Sequence, residues 1–115
     1  MMKIFISQGM VGRSDEEVLQ ERAKAAQILQ DYFHSEIGDD ITIEIIDSYI
    51  EEDPPDVCNT GVWYMGHSII MMSEADRVAF LPNWEQYGGC RLEKQIADYY
   101  NVPSVIFHSD WSIES

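Results

Sequence analysis

The chain has 115 residues, 45% of them hydrophobic and 11% aromatic, a composition that excludes a disordered chain and fits one folded domain, residues 1–115, with one modest core. Its 21 acidic residues against 7 basic ones give a formal charge of −14, which argues against a nucleic-acid polymer or an anionic membrane as partner. Two cysteines (Cys58 and Cys90) are too few for a disulfide scaffold, His34, His67 and His108 have no paired spacing, and no apolar run is long enough for a signal peptide or a membrane span, so no metal or other cofactor is expected and the expected setting is cytoplasmic.

Lys3–Ile6 is a short apolar run closed by Ser7-Gln8-Gly9, the pattern of a buried first strand. After the loop Gln8–Arg13, Ser14-Asp15-Glu16-Glu17 forms a capping box, and the spacing predicts a helix to about Phe33. Val18, Arg22, Ala25, Ala26, Leu29, Tyr32 and Phe33 share one face of it. Gly38-Asp39-Asp40 breaks the chain before the β-branched run Ile41–Ile46, a second strand. Asp47–Asp56 contains Pro54-Pro55 and reads as a loop. A second helix is predicted over Gly61–Met72, with the stripe Val62, Met65, Ile69 and Met72.

Asp76 reads as a structural residue at the start of a third strand, Arg77–Leu81. The aromatic loop Pro82–Tyr87 follows. The third helix is expected from about Cys90 to Asn101, with Leu92, Ile96, Tyr99 and Tyr100 on its apolar face. Asn101-Val102-Pro103 stops it, and Ser104–Phe107 is the last expected strand.

Strand and helix alternating at this spacing imply an α/β fold with a parallel sheet of four to five strands and helices on both faces. Such doubly wound sheets bind ligands beyond the carboxyl ends of their strands. Ser7, Gln8 and Gly9 lie there, as do Asp47, Ser48 and Tyr49, and Asn83, Trp84 and Glu85 with Gly88–Glu93 behind them. The set holds carboxylates, hydroxyls, an amide and an aromatic ring, but no phosphate-binding glycine loop and no dinucleotide fingerprint. A neutral or lightly charged aromatic ligand, such as a nucleoside or a base, suits it. A phosphorylated ligand would need a local cation, for which Arg13 and Arg91 are the candidates.

Gly88-Gly89-Cys90-Arg91-Leu92-Glu93 is the most informative stretch. It reads as a glycine turn opening a helix, with Glu93 in the first turn, where the helix dipole favours its ionised form. An ionised carboxylate at the mouth of a parallel sheet is a candidate nucleophile; the alternative is that Glu93 only complements the dipole.

These residues carry a resemblance. Ser73-Glu74-Ala75-Asp76-Arg77-Val78-Ala79-Phe80-Leu81, then Pro82-Asn83-Trp84, Gly88–Glu93, Ala97 and Val102-Pro103, together with the opening Lys3–Ser7, resemble the nucleoside 2-deoxyribosyltransferase-like superfamily, nearest to a small branch common in bacteriophages and bacteria. The resemblance implies a flavodoxin-like three-layer sandwich and cleavage or transfer at an N-glycosidic bond, in the cytoplasm of a bacterium or of a phage's host. Glu93 matches the glutamate that attacks the sugar C1′, the logic of retaining glycoside hydrolysis.

The chain departs from the best-studied members at two aspartates: Ser68 stands near one position and Tyr87 at the other. Asp47 and Glu85 are the expected substitutes for proton delivery. Expected substrate contacts are Ser7, Gln8, Gly9, Met10, Tyr49, Ser68, Gly88, Gly89 and Arg91, with Trp84 stacked on the base. Loop packing is the other reading of Trp84, and a solvated or ion-paired residue that of Arg91. The second helix, carrying Trp63, Tyr64, Met65, Ile69, Ile70, Met71 and Met72, is apolar on more than one face, so a homo-oligomer, most simply a two-fold dimer, is expected. The alternative to an enzyme is a non-catalytic binding protein for a nucleotide-like ligand, or an interaction protein with a vestigial pocket.

Overall fold

Residues Met2–Ser7 form β1, and both of its faces are buried, as a strand in the middle of a parallel sheet requires. Residues 1–48, 50 and 52–115 of the computed structural model are described; Tyr49 lies outside them. β2 (Ile43–Ile45), β3 (Arg77–Phe80), β4 (Ser104–Phe107) and β5 (Ile113–Glu114) complete a five-stranded sheet in the order β2-β1-β3-β4-β5. Every pairing is parallel except β4 with β5. This is the flavodoxin-like order.

Three helices make the outer layers. α1 (Asp15–Glu36) presents Ala25, Leu29 and Phe33 to one face of the sheet, against Ile4, Ile6, Ala79, Leu81, Val105 and Phe107. α2 (Thr60–Met72) and α3 (Gly88–Tyr99) cover the other, where Met72 and Ala97 join Phe5, Ile46, Val78 and Phe80. The chain is therefore an α/β three-layer sandwich. No helix among the described residues is long and apolar enough to cross a membrane.

Local chemistry explains the boundaries. Ser14 Oγ accepts from the Glu17 N–H at 3.2 Å and caps α1, which runs three residues past Phe33. Asp76 locks β3 to β1: its Oδ2 accepts from the Lys3 N–H at 2.8 Å, and its own N–H donates to Lys3 O at 2.8 Å. β5 comes from a tight reversal in which the Trp111 N–H donates to His108 O and the His108 N–H to Ser112 O. Two residues are too short a strand to show a period in sequence.

The expected face of α3 is not the one it buries. Leu92 is 49% exposed, and Tyr99 and Tyr100 are more exposed still, whereas Cys90, Glu93 and Ala97 are buried and Ile96 is only partly covered. The helix begins at Gly88, inside what reads as a turn, and it docks through small residues that bring its axis close to the sheet. The α2 stripe fails in the same way at its start. Val62 is exposed, and Met72 alone of α2 is fully buried.

Ala97→Leu should therefore cost about 1–3 kcal/mol by overpacking, whereas Leu92→Ala should stay within about 0.5 kcal/mol of the parent. Urea unfolding of both variants tests the assignment. The reverse order of stabilities would restore the face expected from sequence.

Candidate active site

β1 and β3 end in register, with Ser7 opposite Phe80. Beyond the end of β1 lies a cavity of about 290 Å³. The loop after β1 supplies Gln8, Gly9, Met10 and Val11; α2 supplies Gly61, Tyr64, Met65 and Ser68; Tyr87, Gly88, Gly89, Cys90 and Glu93 come from the start of α3, and Ser48 from beyond β2.

Glu93 is the chemical centre. Its carboxyl is 6% exposed and accepts a hydrogen bond from Ser7 Oγ at 2.7 Å. Burial pushes its pKa up to about 7, and the Ser7 hydroxyl opposes that rise. The sequence reading placed Glu93 in the first helical turn, with its ionised form favoured. It is instead the sixth residue of α3, beyond the free N–H groups, and desolvation disfavours its charge. The Cys90 thiol beside it also meets the Ser7 hydroxyl, but burial raises its pKa to about 11, so it is a neutral thiol at physiological pH.

The walls depend on close approach. A Cβ on Gly9 would lie 2.2 Å from the Tyr87 ring, so the ring packs against the bare backbone of the β1–α1 loop. A Cβ on Gly89 would come within 3.2 Å of Met65 Cε, where α3 passes α2. Gly88 and Gly89 are helical, not a turn, and Gly89 serves contact between helices. Arg13 grips Glu21 in a two-pronged pair, Nη1 to Oε1 at 3.0 Å and Nη2 to Oε2 at 2.9 Å, and Nη1 also reaches Gly9 O at 3.0 Å.

Gln8, Gly9, Met10, Ser68, Gly88, Gly89 and Glu93 thus line one cavity, with Ser7 hydrogen-bonded to its carboxyl. Other expected site residues lie elsewhere. Trp84, in a 3₁₀ turn over Trp84–Gln86, packs on Phe80 at 5.2 Å between ring centroids, within the core under α2 and α3. Its indole is committed to packing and is not among the cavity's lining. Glu85 is exposed; its backbone carbonyl accepts from Arg91 Nη1 at 2.7 Å, which holds the exposed Arg91 on the outside of the helix start. Asp47 borders a neighbouring hollow with Met10, Arg13 and Arg22, and its charge acts on Arg22. Tyr49 falls outside the described residues. Arg13 is neutralised by Glu21 and is not a free cation for a phosphate.

Tyr64, Met65 and Tyr87 are lining residues that the sequence reading missed. The signal for the first two was present: Gly61, Tyr64, Met65 and Ser68 fall at helical spacing on one face. Among the described residues no group of three His, Cys, Asp or Glu side chains is placed to hold a metal ion.

A buried acid that keeps its proton to about pH 7 has a defined effect on stability. Below about pH 4.5 both folded and unfolded chains hold the proton, and Glu93 contributes nothing. Between there and pH 7 the unfolded chain releases it first, so stability falls as pH rises, by about 3 kcal/mol once the transition is complete. Glu93→Gln removes the charge and should be more stable than the parent by about 1–3 kcal/mol at pH 8, with the difference shrinking toward pH 4.5. Urea unfolding at both pH values measures it; a variant less stable than the parent at pH 8 contradicts the desolvation argument.

No curated protein and no solved structure matches the chain. Residues 2–106 match a family described as a domain of unknown function, DUF4406, and with nearly its whole length matched the chain belongs to that family.

Proposed function

We propose that the protein cleaves, or transfers a sugar at, the N-glycosidic bond of a nucleoside or nucleotide, with Glu93 as the nucleophile. The observation that carries this reading is a buried carboxyl facing a ligand-sized cavity and oriented by a serine hydroxyl. In the first step a Glu93 oxygen bonds to C1′ as the C1′–N bond breaks and its electron pair leaves with the base. In the second, water or an acceptor hydroxyl or base displaces the carboxylate from C1′, loses a proton and frees Glu93.

The departing base needs a proton. Asp47 and Glu85 do not line the cavity. Among the described residues, the hydroxyl groups that do are those of Ser48, Tyr64, Ser68 and Tyr87. Ser68 stands near one, and Tyr87 at the other, of the two positions where the resemblance leads one to expect aspartates, and both line the cavity. That coincidence supports the resemblance and assigns proton delivery to these hydroxyls or to a water they hold.

Attack requires the ionised form of Glu93. The kcat/KM for base release should rise about tenfold per pH unit below pH 7 and level off above it. Glu93→Gln should lower the rate on the order of a thousandfold or more. Chromatography of free base from 2′-deoxynucleosides and their 5′-monophosphates tests both; a Glu93→Gln variant that releases base at the parent rate sinks the assignment. A second reading rests on one observation: Glu93 is the one carboxyl among the described residues lining the cavity. On that reading the protein binds such a ligand without turning it over, and calorimetric binding with no base released would decide for it.

We also propose a homodimer through α2. Val62 and Ile70 are exposed on one side of α2, while Thr60–Met72 contains no Asp, Glu, Lys or Arg. In a chain of charge −14 this is a face on which two copies meet without like-charge repulsion. Light scattering should give a dimeric mass and Ile70→Lys a monomeric one. A parent chain that is monomeric at micromolar concentration overturns the proposal.

A further inference from the structure

Gln8 is 7% exposed and lines the cavity. Its amide nitrogen is fully used: Nε2 donates to Val18 O at 2.8 Å and to Glu21 Oε1 at 3.1 Å, one bond for each of its hydrogens. Both partners are acceptors only. A flipped amide would set its oxygen against two oxygens, so chemistry fixes the orientation. The oxygen that remains, Oε1, is buried with no hydrogen-bond partner among the described residues. A buried acceptor left unpaired is costly, and such groups in folded proteins almost always have a partner. A donor on a ligand in the cavity would supply that partner.

Glu21 does not hold this orientation alone. Arg13 takes both of its oxygens, and Arg13 also anchors the Gly9 carbonyl of the same loop. A freely rotating Glu21 would leave Val18 O as the one fixed acceptor for the Gln8 amide; the two-pronged pair prevents that.

We propose that Gln8 Oε1 is a fixed hydrogen-bond acceptor that selects ligands carrying a donor, and that Glu21 and Arg13 are the positioning residues that keep it an acceptor. The inference rests on the nucleoside reading for its ligand class. On a nucleoside the donor is either an exocyclic amine of the base or a sugar hydroxyl, and paired ligands separate the two.

For the amine, 2′-deoxyadenosine is compared with purine 2′-deoxyriboside, and 2′-deoxycytidine with the 2-pyrimidinone deoxyriboside, each lacking only the amine. For the sugar, 2′-deoxyadenosine is compared with its 3′-deoxy and 5′-deoxy derivatives. Affinity is read by calorimetry, or kcat/KM where base is released. In the parent protein one arm should lose about 5- to 150-fold on removal of the donor, the cost of leaving a buried acceptor unpaired. In Gln8→Met, which keeps the length but not the acceptor, the two members of that pair should bind within about twofold of each other.

Glu21→Gln, which replaces one of the two acceptors that fix the Gln8 amide and breaks the ion pair with Arg13, should reduce the same ratio while circular dichroism reports an intact fold. It carries the test if Gln8→Met does not fold. Equal affinity within every pair in the parent overturns the inference and leaves the nucleoside reading standing. Discrimination that persists undiminished in both variants also overturns it. No binding of any nucleoside by the parent removes the nucleoside reading and this inference together.

Discussion

The hydrogen bond from Ser7 to Glu93 is the interaction on which the site depends. It joins the last residue of a central strand to the second turn of α3 across a buried interface. A carboxyl withdrawn from water would favour its protonated form even more strongly without that donor. With it, the group titrates near 7, so both protonation states are populated at neutral pH. The rest of the local structure follows from bringing these two side chains together. α3 must lie close to the sheet, and Cys90 and Ala97 supply the small surface that permits it.

Strand geometry extends the arrangement to the other layer. Successive side chains on a strand point to opposite faces. Ser7 therefore reaches α3, while Gln8, just past the strand end, reaches Val18 and Glu21 of α1. One dipeptide ties both helical layers to the same cavity. The Arg13–Glu21 pair belongs to this scaffold, since Arg13 holds the Gly9 carbonyl as well as the carboxylate. Its charge is consumed by structure, and this explains why a basic residue in the loop beside the cavity gives no free phosphate anchor.

How far these features were legible in sequence depends on whether local or tertiary forces set them. β4 was readable to the residue, and β1 within one residue at each end, because a buried parallel strand is a continuous apolar run with clear stops. The Ser14 cap was readable because it acts on backbone three positions away, whereas Asp76, read as structural, acts on the Lys3 backbone 73 positions away, a partner that no local pattern names. The face of α3 was not. Its apolar residues Leu92, Tyr99 and Tyr100 face out, while Glu93 turns in, because the Ser7 hydroxyl 86 positions away in sequence makes a polar residue acceptable there. Trp84 misled for the related reason that a loop aromatic can belong to the core. It fills space beside Phe80, and no periodicity in a short turn reveals this. Of the residues lining the candidate cavity, Gln8, Gly9, Gly88, Gly89 and Glu93 followed from where α/β sheets place ligands, and Ser68 from the resemblance. The cavity's aromatic walls, Tyr64 and Tyr87, depend on how α2 and α3 lean together, which no local pattern encodes.

On the proposed reading of Glu93 as a nucleophile, hydroxyl groups at Ser68 and Tyr87, where the resemblance leads one to expect acids, have an electrostatic logic. The cavity offers no cation among its described lining residues to offset a negative charge. Carboxylates added in a space of about 290 Å³ would repel the charge on Glu93 and raise its pKa further. A nucleophile already at about 7 would then be mostly protonated, and silent, at neutral pH. Hydroxyl groups at those two positions still offer protons and hydrogen bonds but add no charge. The chain as a whole carries −14, yet its candidate site confines ionisable acid to one residue, and that restriction keeps the residue's titration within reach of physiological pH.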